Sequence, residues 1–149
     1  MVDYWSKEEG AIFDACSYIL PCRASTVIVL GSAVKATTTQ TDGAIEVAPA
    51  TAVGDGFAVA CKAAAADDDV IPVLFYGVYK MLTTGTAVTI LMGSTVMNSI
   101  TTSVISTMNL GATTATMVAF GGASYILGMA LQKAAAVGDE ILILVGKCL

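Results

Sequence analysis

The chain has 149 residues and a mass of 15.2 kDa, with 56% apolar residues, only 13% charged residues and a net charge of −5. That length fits one domain, or one domain with an arm, and suffices for a core without disulfide staples. The composition excludes a disordered chain, and 7 basic residues against 12 acidic ones exclude a basic nucleic-acid-binding surface.

Residues 1–24 read as an N-terminal arm or a short helix, ahead of a β domain over 25–149. Ser6 and Glu9 stand at capping-box spacing, and Ile12, Cys16 and Ile19 follow at helical spacing. Pro21 would stop such a helix, while Gly10 is a poor interior residue, so an extended arm fits equally well. Tyr4, Trp5, Phe13 and Tyr18 concentrate aromatic side chains here. They are candidates either for covering the open end of the domain or for gripping a partner. Asp3, Lys7, Glu8, Glu9 and Asp14 interrupt any apolar signal-peptide core, which points to folding in the cytosol.

Beyond residue 25 the vocabulary is Val, Ile, Thr, Ala and Gly, in short apolar runs separated by turn residues. The runs predict strands at Thr26–Lys35, Ala44–Val47, Gly56–Lys62, Val70–Met81, Ala87–Met97, Val104–Met108, Thr116–Phe120, Tyr125–Gln132 and Glu140–Lys147. Their spacing predicts an all-β sandwich or barrel. The alanine runs at 63–66 and 134–136 are too short for isolated helices and read as tight connections. Strands such as Ile141-Leu142-Ile143-Leu144-Val145 are apolar on both faces, so one face is expected to meet the core and the other a second surface, such as another subunit.

An internal echo joins the two alanine runs. Lys62-Ala-Ala-Ala-Ala-Asp67 and the apolar strand after it resemble Lys133-Ala-Ala-Ala-Val-Gly-Asp139 and its strand, at an offset of 71 (62 to 133). A barrel built from two related halves would produce such an echo, and so would chance alignment of alanine-rich segments.

Candidate chemistry is sparse. Histidine is absent, which removes the commonest general base, the Ser-His and Cys-His nucleophile pairs and the commonest zinc ligand. Cys16, Cys22, Cys61 and Cys148 have no CxxC spacing and read as free thiols, so no metal or cofactor is expected. Asp67-Asp68-Asp69 lacks the alternate spacing of a calcium loop and reads as a solvated turn; Asp139-Glu140 would point to opposite faces of a strand. The glycines form neither a dinucleotide fingerprint nor a P-loop. The seven methionines read as packing filler. No charge occurs from Met81 to Gln132, but Ser, Thr and Gly recur too often for a membrane span, and the best window, Ala115–Leu131, is short. A small membrane protein is therefore the weaker alternative, and an enzyme weaker still.

The ordered motifs Gly77-Val78-Tyr79, Gly93-Ser-Thr-Val96, Leu127-Gly128-Met-Ala130-Leu131, Ala134-Ala-Ala-Val-Gly138-Asp139 and Ile141-Leu-Ile-Leu-Val145 resemble those of tailed-phage capsid decoration (cement) proteins. Ala58-Val59-Ala60 with Ala63–Ala66 resembles that family's related first-half unit, so the likeness spans about residues 54–147. Val96-Met97-Asn98 stands where the family often has an aromatic-acid strand end. The resemblance implies a small β-barrel or β-tulip-like sandwich that forms a homotrimer on the outside of a phage capsid. There it would clamp the major capsid protein, with no nucleic acid, membrane or cofactor as partner. Gly77, Val78, Gly93, Gly128, Ala130, Gly138 and Asp139 are the motif positions it marks. Another β-rich assembly module, such as a tail tube, fibre or surface-layer unit, fits the same composition.

Overall fold

The computed structural model describes residues 11–12, 17–38, 43–52, 54–83, 90–98, 104–107, 127–136 and 138–146. It bears out the all-β expectation: ten strands and no helix occur among the described residues. They are β1 (Ala11–Ile12), β2 (Tyr18–Ala24), β3 (Ala33–Ala36), β4 (Glu46–Pro49), β5 (Ala58–Ala60), β6 (Val70–Thr83), β7 (Thr95–Asn98), β8 (Val104–Thr107), β9 (Gly128–Ala130) and β10 (Glu140–Val145). The strand expected at Thr116–Phe120 lies outside the described residues.

The 14-residue β6 is long enough to serve two barrels. Its first half pairs with β2 and β5, and the ladder closes through β4 and β3 into a five-stranded ring. Its second half pairs with β10 and β8, and the ladder closes through β9 and β7 into a second five-stranded ring. Closure removes the exposed edges an open sheet would carry.

The two rings are copies. Val34 pairs with Pro49 and Ala58 in the first, and Val96 pairs with Thr107 and Gly128 in the second. Val59 and Ala60 meet Leu74 and Val73; Met129 and Ala130 meet Leu144 and Ile143. Ile19 and Cys22 meet Leu74 and Ile71; Val78 and Met81 meet Leu144 and Ile141. The turns agree as well. Gly31 N–H donates to Ala60 O and Gly93 N–H to Ala130 O, and the isolated bridges Ile28–Ala64 and Ile90–Ala134 correspond.

The structure corrects the register of the sequence echo. The true offset is 70 (60 to 130), which matches Asp69, not Asp68, with Asp139. The acid at this position fixes the register because its carboxylate caps the preceding turn. Asp69 Oδ2 accepts from Ala65 N–H (2.8 Å) and Ala66 N–H (3.0 Å). Asp139 Oδ2 accepts from Ala135 and Ala136 N–H, both at 2.9 Å. The preceding position is left-handed in both copies: Gly138 at φ 85° and Asp68 at φ 68°, a conformation a short polar side chain tolerates. A further signal lay unread in the sequence: Ile28-Val-Leu-Gly-Ser-Ala-Val34 and Ile90-Leu-Met-Gly-Ser-Thr-Val96 are the same turn and strand.

Residues Tyr18–Ala24, placed with the arm by the sequence, form β2 of the first barrel, with Cys22 and Ala24 buried in its core. A helix is unavailable to them because their backbone bonds are taken by β6 and β4. The first barrel's interior is a cluster including Cys22, Ile28, Val34, Val47, Ala58, Ala60, Ile71 and Val73. The second barrel's interior holds Tyr79, Met81, Ile90, Val96, Ala130, Ile141, Ile143 and Val145.

Candidate assembly surfaces

The site-bearing surfaces follow from how one barrel sits on the other. Ala33, Val59, Cys61 and Leu74 point away from the first barrel's interior, yet all are fully buried and belong to the same cluster as the second barrel's core. This outer face therefore stoppers the second barrel. Asn98, at the end of β7, is fully buried in the seam. Its Nδ2 donates to Ala52 O (2.8 Å), its Oδ1 accepts from Gly56 N–H (2.8 Å), and its backbone O accepts from Gly54 N–H (3.1 Å). The departure Val96-Met97-Asn98 noted in the sequence thus supplies the polar tie between the barrels.

At the corresponding mouth of the first barrel, Leu20, Phe57 and Phe75 are half-buried and pack on the core. Phe75 stands 5.6 Å from Phe57 in a tilted arrangement and 6.4 Å from Tyr18, edge to face, between ring centroids. Tyr18 is 57% exposed at this rim. Of the four aromatic candidates, Tyr18 is thereby placed on an apolar surface; Tyr4, Trp5 and Phe13 lie outside the described residues. Leu20, Phe57 and Phe75 escaped the sequence reading because, within apolar runs, mouth residues look like any core residue.

A second apolar feature recurs in both barrels. The turns before β3 and β7 expose Val29 with Leu30 and Leu91 with Met92, at equivalent positions. The motif positions from the sequence take structural roles. Val78 is half-buried on the outer side of β6, Gly77 is buried beside the bulge at the start of the β2–β6 ladder, and Gly93 forms an exposed turn. Ala130 is core. Gly128 is packed so closely that a Cβ would lie 2.1 Å from Leu144 O. Gly138 and Asp139 make the capped turn, and the two backbone hydrogen bonds hold the Asp139 carboxyl below the usual aspartate range.

Among the described residues, three ion pairs serve local structure. Asp68 pairs with Arg23 at 3.0 Å, Asp55 with Lys35 at 3.0 Å, and Glu140 with Lys80. Each member of the acidic run is thus engaged in the turn or its ion pair, since Asp67 Oδ1 also accepts from Asp68 N–H. Among the described residues no group of three or more His, Cys, Asp or Glu could hold a metal ion. No helix among them is long and apolar enough to cross a membrane.

No protein-family model and no curated protein matches the chain. Among solved structures it is similar to the N base of the head fibre protein gp8.5 of bacteriophage phi29. That likeness has a TM-score of 0.51 and 16% sequence identity, and covers 87% of this chain and 93% of the other. At that identity it establishes a shared fold.

Proposed function

We propose that the chain is a structural protein of a phage virion, seated on the outside of the head, where it works by binding and not by catalysis. The observation that carries this reading is the fold shared with a phage head fibre base across nearly the whole of both chains. The ordered sequence motifs of capsid decoration proteins support the same placement independently. In the finer form of the proposal, a homotrimer clamps neighbouring major capsid subunits and stabilises their lattice. The exposed Val29–Leu30 and Leu91–Met92 turns give each copy two equivalent apolar contact points, and symmetry multiplies such weak contacts into avidity.

The likeness to a fibre base favours one second reading: the chain anchors a projecting fibre and leaves lattice strength unchanged. Mass spectrometry of purified particles tests the common part, and absence of the chain from virions would sink both readings. Heat challenge of particles with and without the chain separates them. Earlier DNA release without it supports the clamp; unchanged release supports the fibre base.

A further inference from the structure

The repeat allows each surface of one barrel to be compared with its counterpart on the other, and two of them differ in a linked way. In the second barrel the mouth residues Tyr79, Leu127 and Val145 are 3%, 0% and 0% exposed. Their counterparts in the first barrel, Leu20, Phe57 and Phe75, are all half-buried. The second mouth is closed because the first barrel's outer face, Ala33, Val59, Cys61 and Leu74, lies against it. The counterparts of that face on the second barrel are Thr95, Met129, Leu131 and Leu144, and all four are half-buried. Each chain thus presents one partly open mouth and one partly open stopper. These are the two halves of a contact it already makes once within itself.

We propose that a second copy of this chain seats the outer face of its second barrel, at Val78, Met129, Leu131 and Leu144, on the mouth of the first barrel, at Leu20, Phe57 and Phe75. Tyr18 forms the rim of that contact. The occupant is another copy because the complementary surface is present on the same chain, on a barrel whose strand pairings repeat those of the first barrel pair for pair. Such a contact is heterologous: each copy uses a different surface toward each neighbour, so copies join head to tail and close into a ring where the rotation permits. The homotrimer of the proposed function then becomes a ring of six barrels in which every mouth is stoppered. The contact rests on the repeat and not on the virion reading.

The test uses the full chain in solution, with mass read by light scattering and sedimentation. Leu20→Lys spoils the mouth and leaves the stopper intact; Leu131→Lys does the reverse, and their like charge keeps the two spoiled halves apart. The expected result is that the wild type assembles, each variant alone is monomeric, and an equimolar mixture forms a 1:1 dimer that grows no further. The mixture pairs because one intact mouth and one intact stopper remain, and a wild type larger than a dimer separates head-to-tail growth from a two-fold exchange. A wild type that stays monomeric at the highest attainable concentration overturns the inference. So does assembly of either variant like the wild type, or a mixture that stays monomeric. Circular dichroism checks folding; if a variant unfolds, Tyr18→Lys and Val78→Lys replace the pair, with the same outcomes required. Absence from virions would sink the proposed function while leaving this contact standing, whereas a monomeric chain found on the particle would do the opposite.

Discussion

The repeat contains a matched exchange that can be tested as a thermodynamic cycle. In the second barrel, Leu142 N–H donates to Gln132 Oε1 at 3.0 Å, while Leu142 O accepts from Leu131 N–H at 2.8 Å. In the first barrel the corresponding residues are Pro72 and Lys62. Pro72 O accepts from Cys61 N–H at 2.9 Å, and the proline has no donor to satisfy. Gln132→Ala therefore strands an amide in a residue that is only 6% exposed. An unpaired buried donor costs about 1–3 kcal/mol, and the exposed position of Gln132 lets water recover part of it, so about 1 kcal/mol is expected. Leu142→Pro removes the donor and loses Leu142 packing, but the packing loss appears on both sides of the cycle and cancels. Gln132→Ala should then cost about nothing in the Leu142→Pro background, leaving a coupling energy of about 1 kcal/mol. Urea denaturation of the four proteins, with unchanged m values, measures it. A coupling within about 0.3 kcal/mol of zero would refute the account, because independent sites are additive to that level.

Asn98→Ala should destabilise the chain by about 2–3 kcal/mol, since the buried Gly56 N–H loses its acceptor and the seam its side-chain tie; a loss below about 1 kcal/mol in the same assay would show that side-chain tie to be dispensable. Gly128→Ala should prevent folding or cost about 3 kcal/mol or more, because a Cβ 2.1 Å from Leu144 O forces β9 away from β10; a near-wild-type melt would contradict that. For Asp139 the folded carboxyl lies below its unfolded value, so its contribution is present above the unfolded value and lost as pH falls through the folded one. NMR titration should place its midpoint below that of an ordinary aspartate, and Asp139→Asn should abolish that acid-dependent increment. Burial pushes the Cys22 thiol up to about 11, and Cys61 is buried, so in a Cys16→Ser/Cys148→Ser background neither should react with a disulfide reagent at pH 8 until urea unfolds the chain.

The strands most legible in sequence were those whose composition left no alternative. The apolar run Val70–Met81 is the core of β6, and Glu140–Lys147 contains β10. Strand β2 was hidden by Pro21, which reads as a helix stop. In the fold Pro21 lies opposite Pro72, whose carbonyl bonds Cys61 on the far side, so the pair forms no mutual ladder bond that a missing N–H could break. The duplication was half visible, because small residues around the alanine runs align in several registers and only the capping carboxylates of Asp69 and Asp139 choose between them. Tyr18 was identifiable as a contact candidate from its type. Leu20, Phe57 and Phe75 were not, since their place at a barrel mouth depends on ring closure by residues far away in the chain.

Closure of two barrels on one strand also accounts for apolar character on both faces of that strand. Ile71 and Val73 face the first barrel, Tyr79 and Met81 the second, and Leu74 turns outward only to be buried in the seam. Strand β10 has the same two-sided composition, but its outward side is covered at Leu142 and only partly at Leu144. Ile141, Ile143 and Val145 fill the second barrel, while Leu144 occupies the place of Leu74 and remains half-buried. A surface free of any partner gains nothing from a row of outward Val78, Met129, Leu131 and Leu144, because exposed apolar area invites nonspecific association. Their presence on the one face whose counterpart is buried within the chain is what the proposed contact between copies would use. On that account the low charge of the chain belongs to a protein that meets its own kind on surfaces other proteins leave to water.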